Sequence, residues 1–177
     1  MEKLLEIIYG TLLGDGCIKY DNYRYKKYFC YKLTSKDKKF LEWFNLLLIK
    51  FDINCWFTVD NKITDVFALY FYINSSKHSK EFLKLREKWY IERHGKYAQK
   101  IIPHDLHLTP TVLLHWYLGD GSLIRRKNDK NRVPFIVLAT NAFSKEDIDF
   151  LIQKLKELSL NFYPVKYKSG FTKKESG

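Results

Sequence analysis

Two aspartates, each between two glycines, carry the first sign of chemistry in this chain. Residues 8–16 read Ile-Tyr-Gly-Thr-Leu-Leu-Gly-Asp-Gly, and residues 113–121 read Leu-Leu-His-Trp-Tyr-Leu-Gly-Asp-Gly. Each is an apolar stretch of helical character that runs into one acid, Asp15 or Asp120. A buried helix ending in a carboxylate, made twice, is a way to bring two acids together. Paired carboxylates hold divalent metal ions, and such ions serve phosphodiester cleavage by making water nucleophilic and stabilising the leaving oxygen. The carbonyls of Gly14 and Gly119 could add ligands, because the last carbonyls of a helix have no partner within it. A carboxylate at a helix C-terminus costs the helix about 0.5 kcal/mol, and bound Mg²⁺ would reverse that sign. One Gly-Asp-Gly alone is a common turn; the matched pair carries the reading.

The rest of the composition points to the substrate. Lys and Arg number 31 against 20 Asp and Glu in 177 residues, a formal charge of +11. That excess favours polyanions, since phosphate contacts release condensed counterions. Aromatic residues make up 17%, many in strand-like runs beside Lys and Arg, which suits a sheet facing nucleic acid. Cys17, Cys30 and Cys55 are odd in number and form no CxxC pair, so neither a zinc site nor a disulfide framework is indicated. They read as core residues of a protein in a reducing, intracellular compartment. The opening MEKLLEIIYG is short and carries two acids, unlike a secretory signal or a transit peptide. No apolar run approaches membrane-spanning length. The Lys-, Ile- and Tyr-rich composition suits an AT-rich host, either a prokaryotic cytoplasm, archaeal included, or the inside of a mitochondrion or chloroplast.

The elements that must position the acids follow from pattern. Leu4–Leu13 is apolar nearly all round, as a buried helix would be. Strands are expected at Cys17–Tyr20 and Tyr28–Thr34, joined by a basic loop, Asp21–Lys27. Ser35 is the expected N-cap of a helix whose apolar face is Phe40, Leu41, Phe44, Leu47, Leu48 and Phe51. Cys55–Val59 and Val66–Asn74 read as a hairpin, and Ser75 or Ser76 as the cap of a helix to about Trp89. A polar segment, Glu92–His107, follows. Thr109-Pro110 then starts a second motif helix to Gly119, with strands at about Leu123–Arg126 and Pro134–Thr140. Ser144, with Asp147, caps the helix Lys145–Leu158, and a last strand is expected near Asn161–Tyr167. The order helix–strand–strand–helix–strand–strand–helix thus appears once in full and then begins again.

With these motifs in place the chain resembles the LAGLIDADG homing endonucleases, in particular the two-motif, single-chain type with Trp and Asp-Gly-Ser in the second motif. The resemblance covers nearly the whole chain. It rests on Gly10, Gly14, Asp15 and Gly16 in motif one and on Trp116, Gly119, Asp120, Gly121 and Ser122 in motif two. The lead-in Lys100-Ile101-Ile102-Pro103 … Leu108-Thr109-Pro110 and the later Ala139-Thr140-Asn141-Ala142-Phe143 also match. It implies an α+β fold with a pseudo-two-fold duplication of αββαββα halves. The motif helices would pack at the centre, and the antiparallel sheets would form a DNA-binding saddle along the major groove. The acids would sit over the minor groove. The halves would be residues 1–98 and 99–177 of one compact pseudo-dimeric unit, the second shortened by a strand and a final helix. His115 replaces the family's usual small residue, and packing is the expected role for it.

The resemblance further implies a site-specific double-strand DNA endonuclease using Mg²⁺ at Asp15 and Asp120, with Mn²⁺ substituting and Ca²⁺ binding without supporting cleavage. Polar or basic groups around the metals would be Ser35 and Lys36 after the second strand of half one, Asn141 at the matching place in half two, and Lys100 ahead of the second motif helix. DNA contacts would come from Lys19, Tyr20, Arg24, Lys26, Lys27 and Lys32 in half one. In half two they would come from Arg125, Arg126, Lys127, Lys130, Arg132, Lys166 and Lys168. Lys and Arg read guanine edges or hold phosphates. The partner would be duplex DNA with a long asymmetric site, no membrane is involved, and the protein would be a monomer. The rivals are an intron-RNA-binding maturase and a cleavage-dead DNA-binding protein of the same fold. A zinc or His–Asn–His nuclease fits poorly, because His94, His104 and His107 lack suitably spaced partners.

Overall fold

The computed structural model describes residues 2–23, 26–61, 63, 65–93, 96–125 and 133–165. Helix α1 (Glu2–Leu13) buries Leu4, Ile7, Ile8, Gly10, Thr11, Leu12 and Leu13. It leads into strands β1 (Gly16–Tyr23) and β2 (Lys26–Ser35). Helix α2 (Lys38–Ile49), strands β3 (Trp56–Asn61) and β4 (Val66–Tyr72), and helix α3 (Ser79–Trp89) complete the first αββαββα pattern. The four strands form one antiparallel sheet in the order β1-β2-β4-β3. Helix α4 (Pro110–Asp120) then starts the second half, followed by β7 (Gly121–Ile124), β8 (Phe135–Leu138) and helix α5 (Lys145–Glu157). The expected mixed α+β fold with paired motif helices is what the chain adopts.

The duplication is visible in the strand register. Gly16 faces Leu33 across β1 and β2, and Gly121 faces Leu138 across β7 and β8. Burial is not duplicated. Leu13, Ile18 and Tyr31 are 1%, 2% and 0% exposed, while their counterparts Leu118, Leu123 and Ile136 are 38%, 46% and 47% exposed. In the first half, Phe71 of β4 stacks on Tyr31 with ring centroids 5.0 Å apart, and Phe82 of α3 packs on Phe71 at 5.1 Å. Trp89 of α3 stacks on Tyr9 at 6.0 Å. Among the described residues the second half has no element that plays these parts.

Five local expectations are corrected. The N-cap of α2 is Asp37, whose side chain accepts from Lys39 N and Phe40 N, while Ser35 Oγ accepts from Asp37 N. Helix α3 begins at Ser79 behind His78, with Ser76 Oγ accepting from His78 N, so neither Ser75 nor Ser76 is its cap. Strands β1 and β2 extend into the expected Asp21–Lys27 loop, carried by cross-strand pairing as far as Tyr23–Lys26. The polar segment Glu92–His107 is in part a hairpin, β5 (Tyr90–Arg93) and β6 (Lys96–Lys100). Residues 161–165 of the expected strand Asn161–Tyr167 form no strand; an isolated strand leaves its backbone donors and acceptors unpaired. The Thr109 cap with Pro110 and the Ser144–Asp147 capping box form as expected.

One buried cluster runs through both halves, from Leu4, Ile8 and Leu12 to Val112, Trp116, Leu151 and Leu155. Its centre is the α1–α4 contact, and Gly10 decides how close that contact is. A methyl at Gly10 would lie 2.4 Å from the Val112 carbonyl oxygen and 2.6 Å from His115 Cβ. Neither atom can yield without moving α4. Gly10→Ala is therefore expected to destabilise the fold by about 2 kcal/mol through overpacking, lowering Tm by roughly 4–8 °C for a chain of this size. A thermal melt equal to wild type would show that the helices separate at no cost.

Candidate active site

The ends of α1 and α4 meet where the acids leave them. A methyl at Gly14 would lie 3.4 Å from Gly119 Cα and 3.5 Å from Asp120 N, and one at Gly119 would lie 3.4 Å from Asp15 N. The two Gly-Asp steps thus lie against each other, with room between them for little more than a methyl group. Asp15 is exposed and Asp120 half-buried. Burial pushes the Asp120 carboxyl up to about 6; Asp15 adds to the rise and Lys100 opposes it. Asp15 is raised as well, again by burial, with Lys100 opposing. A neighbouring carboxylate makes ionisation harder, as Asp15 does for Asp120.

Lys100 is the third member of this centre, and its position is unusual. The β5–β6 hairpin carries it to the C-terminal end of α1. There its ammonium donates to the carbonyls of Leu12 (2.9 Å), Gly14 (3.2 Å) and Gly16 (2.8 Å). The helix leaves its last carbonyls unpaired, as at Leu12, and Gly14 and Gly16 follow in the turn into β1; the lysine donates to all three while facing the negative end of the helix dipole. The hairpin is itself fixed. Tyr90 Oη accepts from Ile18 N at 2.9 Å, and Ile101 N donates to Trp89 O at 2.8 Å.

A cleft of about 170 Å³ opens beside these groups, lined by Gly14, Lys100, Asp120, Thr140 and Asn141 among others. Ala139 N donates to the Asp120 carbonyl at 3.1 Å, which ties the end of β8 to the end of α4. The expected Asn141 therefore stands beside Asp120. Ser35 and Lys36 do not line this cleft; Lys36 is exposed at the end of β2. Lys36 and Asn141 follow the strand residues, Leu33 and Leu138, that face the two motif glycines. Ala139 and Thr140, which the sequence offered only as part of the Ala139–Phe143 resemblance and with no role of their own, also line the cleft.

The donor set fits a hard cation. Two carboxylates and nearby backbone carbonyls offer only oxygen, as Mg²⁺ prefers. Among the described residues no group of three or more His, Cys, Asp or Glu side chains converges, so no imidazole or thiolate site competes with that set. The Gly14 carbonyl already accepts from Lys100, which leaves it one lone pair for any other partner.

His115 fills the place left by Gly10 and is 4% exposed. Its ring stacks on Trp43 at 5.9 Å and meets the edge of Phe44 at 6.0 Å. Burial, helped by Lys3, pulls its pKa down to about 4, so the ring is neutral and packs as core. A histidine with a lowered folded pKa contributes stability that is present above 6.5 and lost as pH falls through about 4. His115→Leu is therefore expected to melt closer to wild type at pH 4.5 than at pH 7, read as the difference between the two proteins' Tm values. An unchanged difference would mean that His115 is charged in the fold.

The surface of the four-stranded sheet is the second feature. Alternation puts Lys19, Lys32, Trp56, Tyr70 and Tyr72 on one face, with Leu33, Leu69 and Phe71 in the core opposite. Lys19 Nζ lies 5.0 Å and Lys32 Nζ 5.7 Å from the Tyr70 ring centroid. Trp56 stacks on Tyr70 at 5.6 Å, Tyr72 lies 4.5 Å from Trp56, and Tyr28 lies 5.5 Å from Tyr72. Of the expected DNA contacts, Lys19 and Lys32 are on this face and Arg125 is exposed just after β7. Tyr20, Lys26 and Lys27 belong to strands β1 and β2. Arg24, Arg126, Lys127, Lys130, Arg132, Lys166 and Lys168 lie outside the described residues. The β3 and β4 contributors, Trp56, Tyr70 and Tyr72, were missed, although the alternation of Leu69-Tyr70-Phe71-Tyr72 carries the signal. No described helix is long and apolar enough to cross a membrane.

Comparison with known proteins agrees with this architecture. The uncharacterised protein MJ1098 of Methanocaldococcus jannaschii is 32% identical over 162 residues, which are 89% of this chain and 57% of that protein. The chain thus spans little more than half the length of this curated relative. The structure of the homing endonuclease I-WcaI bound to its DNA recognition sequence is similar with a TM-score of 0.60 and 23% identity, over 89% of this chain and 67% of that one. That likeness is one of fold. The sequence profile of the LAGLIDADG DNA endonuclease family matches residues 5–173. With both Gly-Asp-Gly motifs and the paired strands that follow them inside that span, the chain belongs to the LAGLIDADG DNA endonuclease family.

Proposed function

We propose that the protein is a homing endonuclease that hydrolyses phosphodiester bonds in duplex DNA with divalent cations, Mg²⁺ by choice. The observation that carries the reading is the close approach of the Gly14-Asp15 and Gly119-Asp120 steps, which brings the two aspartates near enough for Asp15 to act on the Asp120 carboxyl. Asp15 and Asp120 would hold the ions, with the Gly119 carbonyl beside them. Bound there, the ions would activate water and stabilise the leaving oxygen. Lys100 adds a fixed positive charge next to the acids, and Asn141 offers a polar group at the mouth of the cleft. The Lys- and Tyr-bearing sheet face would carry the duplex, mostly through phosphates. The unequal halves imply an asymmetric target. DNA as partner is also supported by the family and by the DNA-bound state of I-WcaI.

The test is a randomised double-stranded DNA library incubated with the protein in Mg²⁺, in Mn²⁺, in Ca²⁺ and in a chelator, with structured RNA as competitor. The expected result is cutting at one long site in Mg²⁺ and Mn²⁺, and binding without cutting in Ca²⁺. Affinity should fall steeply with salt, in proportion to the phosphates neutralised. Cutting in chelator would overturn the metal assignment. Binding to RNA alone would overturn the endonuclease reading in favour of a maturase.

A further inference from the structure

Asp60 is an acid on the sheet face that carries Lys19 and Lys32. Asp60 sits in β3 where the register slips, with Val59 opposite Phe67 and Asn61 opposite Val66, so that Asp60 is the extra residue of a β-bulge. Bulges bend a strand and re-aim the side chain they carry. Here Asp60 Oδ1 accepts from Lys32 Nζ at 2.5 Å and from the Tyr70 hydroxyl at 3.3 Å. Both bonds use one carboxylate oxygen, and no described residue hydrogen-bonds the other. The hydrogen bond from Lys32 holds the Asp60 carboxyl below the usual carboxylate range, so it is ionised at neutral pH. Side-chain exposure is 28% for Asp60 and 18% for Lys32, so the pair is fixed yet open to a ligand.

A carboxylate on a surface meant for phosphate is a penalty unless it has a partner of its own. The major-groove edge of a C·G pair supplies one, presenting the cytosine N4 amino donor beside the guanine O6 and N7 acceptors. A carboxylate and an ammonium side by side are the complement of that edge. We propose that Asp60 and Lys32 together read one C·G base pair, the second Asp60 oxygen accepting from cytosine N4 and Lys32 donating to guanine. Lys32 has three N–H donors, so it keeps Asp60 while it contacts the base. Tyr70 holds the carboxylate in place from the other side. Against bare phosphate Asp60 is left facing a negative charge; an A·T pair offers it the adenine N6 donor, but between the acceptors N7 and O4, so the carboxylate is flanked by acceptors on both sides.

This inference rests on the duplex-binding reading above, and its test separates the two. Duplexes bound in Ca²⁺ are selected from a randomised library with wild type, Asp60→Ala and Asp60→Asn, each protein first shown to melt cooperatively. Wild type should enrich C·G at one position, and Asp60→Ala should lose that preference there by roughly 5- to 100-fold, the range of one good base contact, with other positions unchanged. Asp60→Asn should move the preference at that position toward A·T, since an amide pairs with the N6 and N7 of adenine. A merely structural Asp60 would not produce that switch. Unchanged profiles in both variants, or an equal loss at every position, would overturn the proposal while leaving duplex binding intact. A wild type that enriches no duplex would overturn the binding reading and this inference with it.

Discussion

Asp120→Asn is expected to stop DNA cleavage and, at the same time, to raise the melting temperature. The loss of cleavage follows from the removal of one of two carboxylates at the contact of the helix ends. It should reach at least about 10³-fold, the scale on which loss of a charge-stabilising group acts. DNA affinity should be nearly unchanged, since Asp120 is not on the sheet face. The gain in stability follows from the carboxyl's environment. In the fold Asp120 titrates at about 6, raised from 3.8 by burial and then by Asp15. A raised folded pKa means stability that is complete below 3.8 and lost as pH rises through about 6. At pH 7 the native state therefore carries an unfavourable charge that the amide lacks. Discounted for partial exposure, that amounts to about 1–2 kcal/mol, or roughly 2–8 °C in Tm. The gain should shrink toward pH 4, where wild-type Asp120 is protonated. Thermal melts at pH 4 and pH 7 and a cleavage time course give both readouts. Wild-type cleavage, or a fall in Tm at pH 7, would refute the assignment. Asp15→Asn should match the cleavage loss with a smaller gain, because Asp15 is the more exposed of the two.

The two aspartates stood out in the sequence, and the rest of the candidate site did not. A glycine-flanked acid ending an apolar helix breaks local rules twice, and such a departure is where function is expected to show. The helices and the first sheet were also legible, because Leu41, Phe44 and Leu48 recur at helical spacing and Leu69 and Phe71 alternate. The hairpin that delivers Lys100 was not, since Lys96, Gln99 and Lys100 read as a polar linker. Its pairing depends on Tyr90 reaching Ile18 across the fold, a contact no local pattern encodes. His115 was legible as core, but its partner was not: Gly10 looks like a close-approach glycine, and only the packing of α1 on α4 shows that the approach is to His115. Asp37 displaced Ser35 as the cap of α2 for a local reason. Both can cap, and the choice depends on where β2 stops pairing, with Ser35 still opposite Phe67. Among the described residues nothing in the second half repeats β4 and α3, and Leu118, Leu123 and Ile136 are exposed where their first-half counterparts are buried.

Lys100→Met is expected to have the largest effect on stability of any single change at this centre. The substitution keeps most of the side-chain volume and removes the ammonium. Three carbonyls, of Leu12, Gly14 and Gly16, lose their donor. They lie where α1 ends and β1 begins, beside Asp15 and, across the contact with α4, Asp120, so the lost charge was compensating both the dipole and the carboxylates. Burial pulls the Lys100 pKa below its ordinary value, against the opposing pull of Cys17, Asp120 and Asp15. The charge is therefore costly to keep there, and the carbonyls are what offset the cost. Removing one side of such a buried arrangement is expected to cost about 3–4 kcal/mol, a fall of roughly 6–16 °C in Tm. The Asp120 carboxyl should titrate still higher, because Lys100 is the charge that holds it down; a carbon-13 titration of the Asp120 carboxyl reads this directly. Lys100→Arg should recover little, since a planar guanidinium does not fit three converging carbonyls as an ammonium does. An unchanged Tm and an unchanged Asp120 titration would show that the three bonds contribute nothing. The same variant separates two roles for the cation. If Lys100 only occupies carbonyls that a divalent ion can use, added Mg²⁺ should restore the Tm of Lys100→Met to the wild-type value. If the ammonium is needed in its own right, Mg²⁺ should raise both proteins by the same amount and leave the gap between them open.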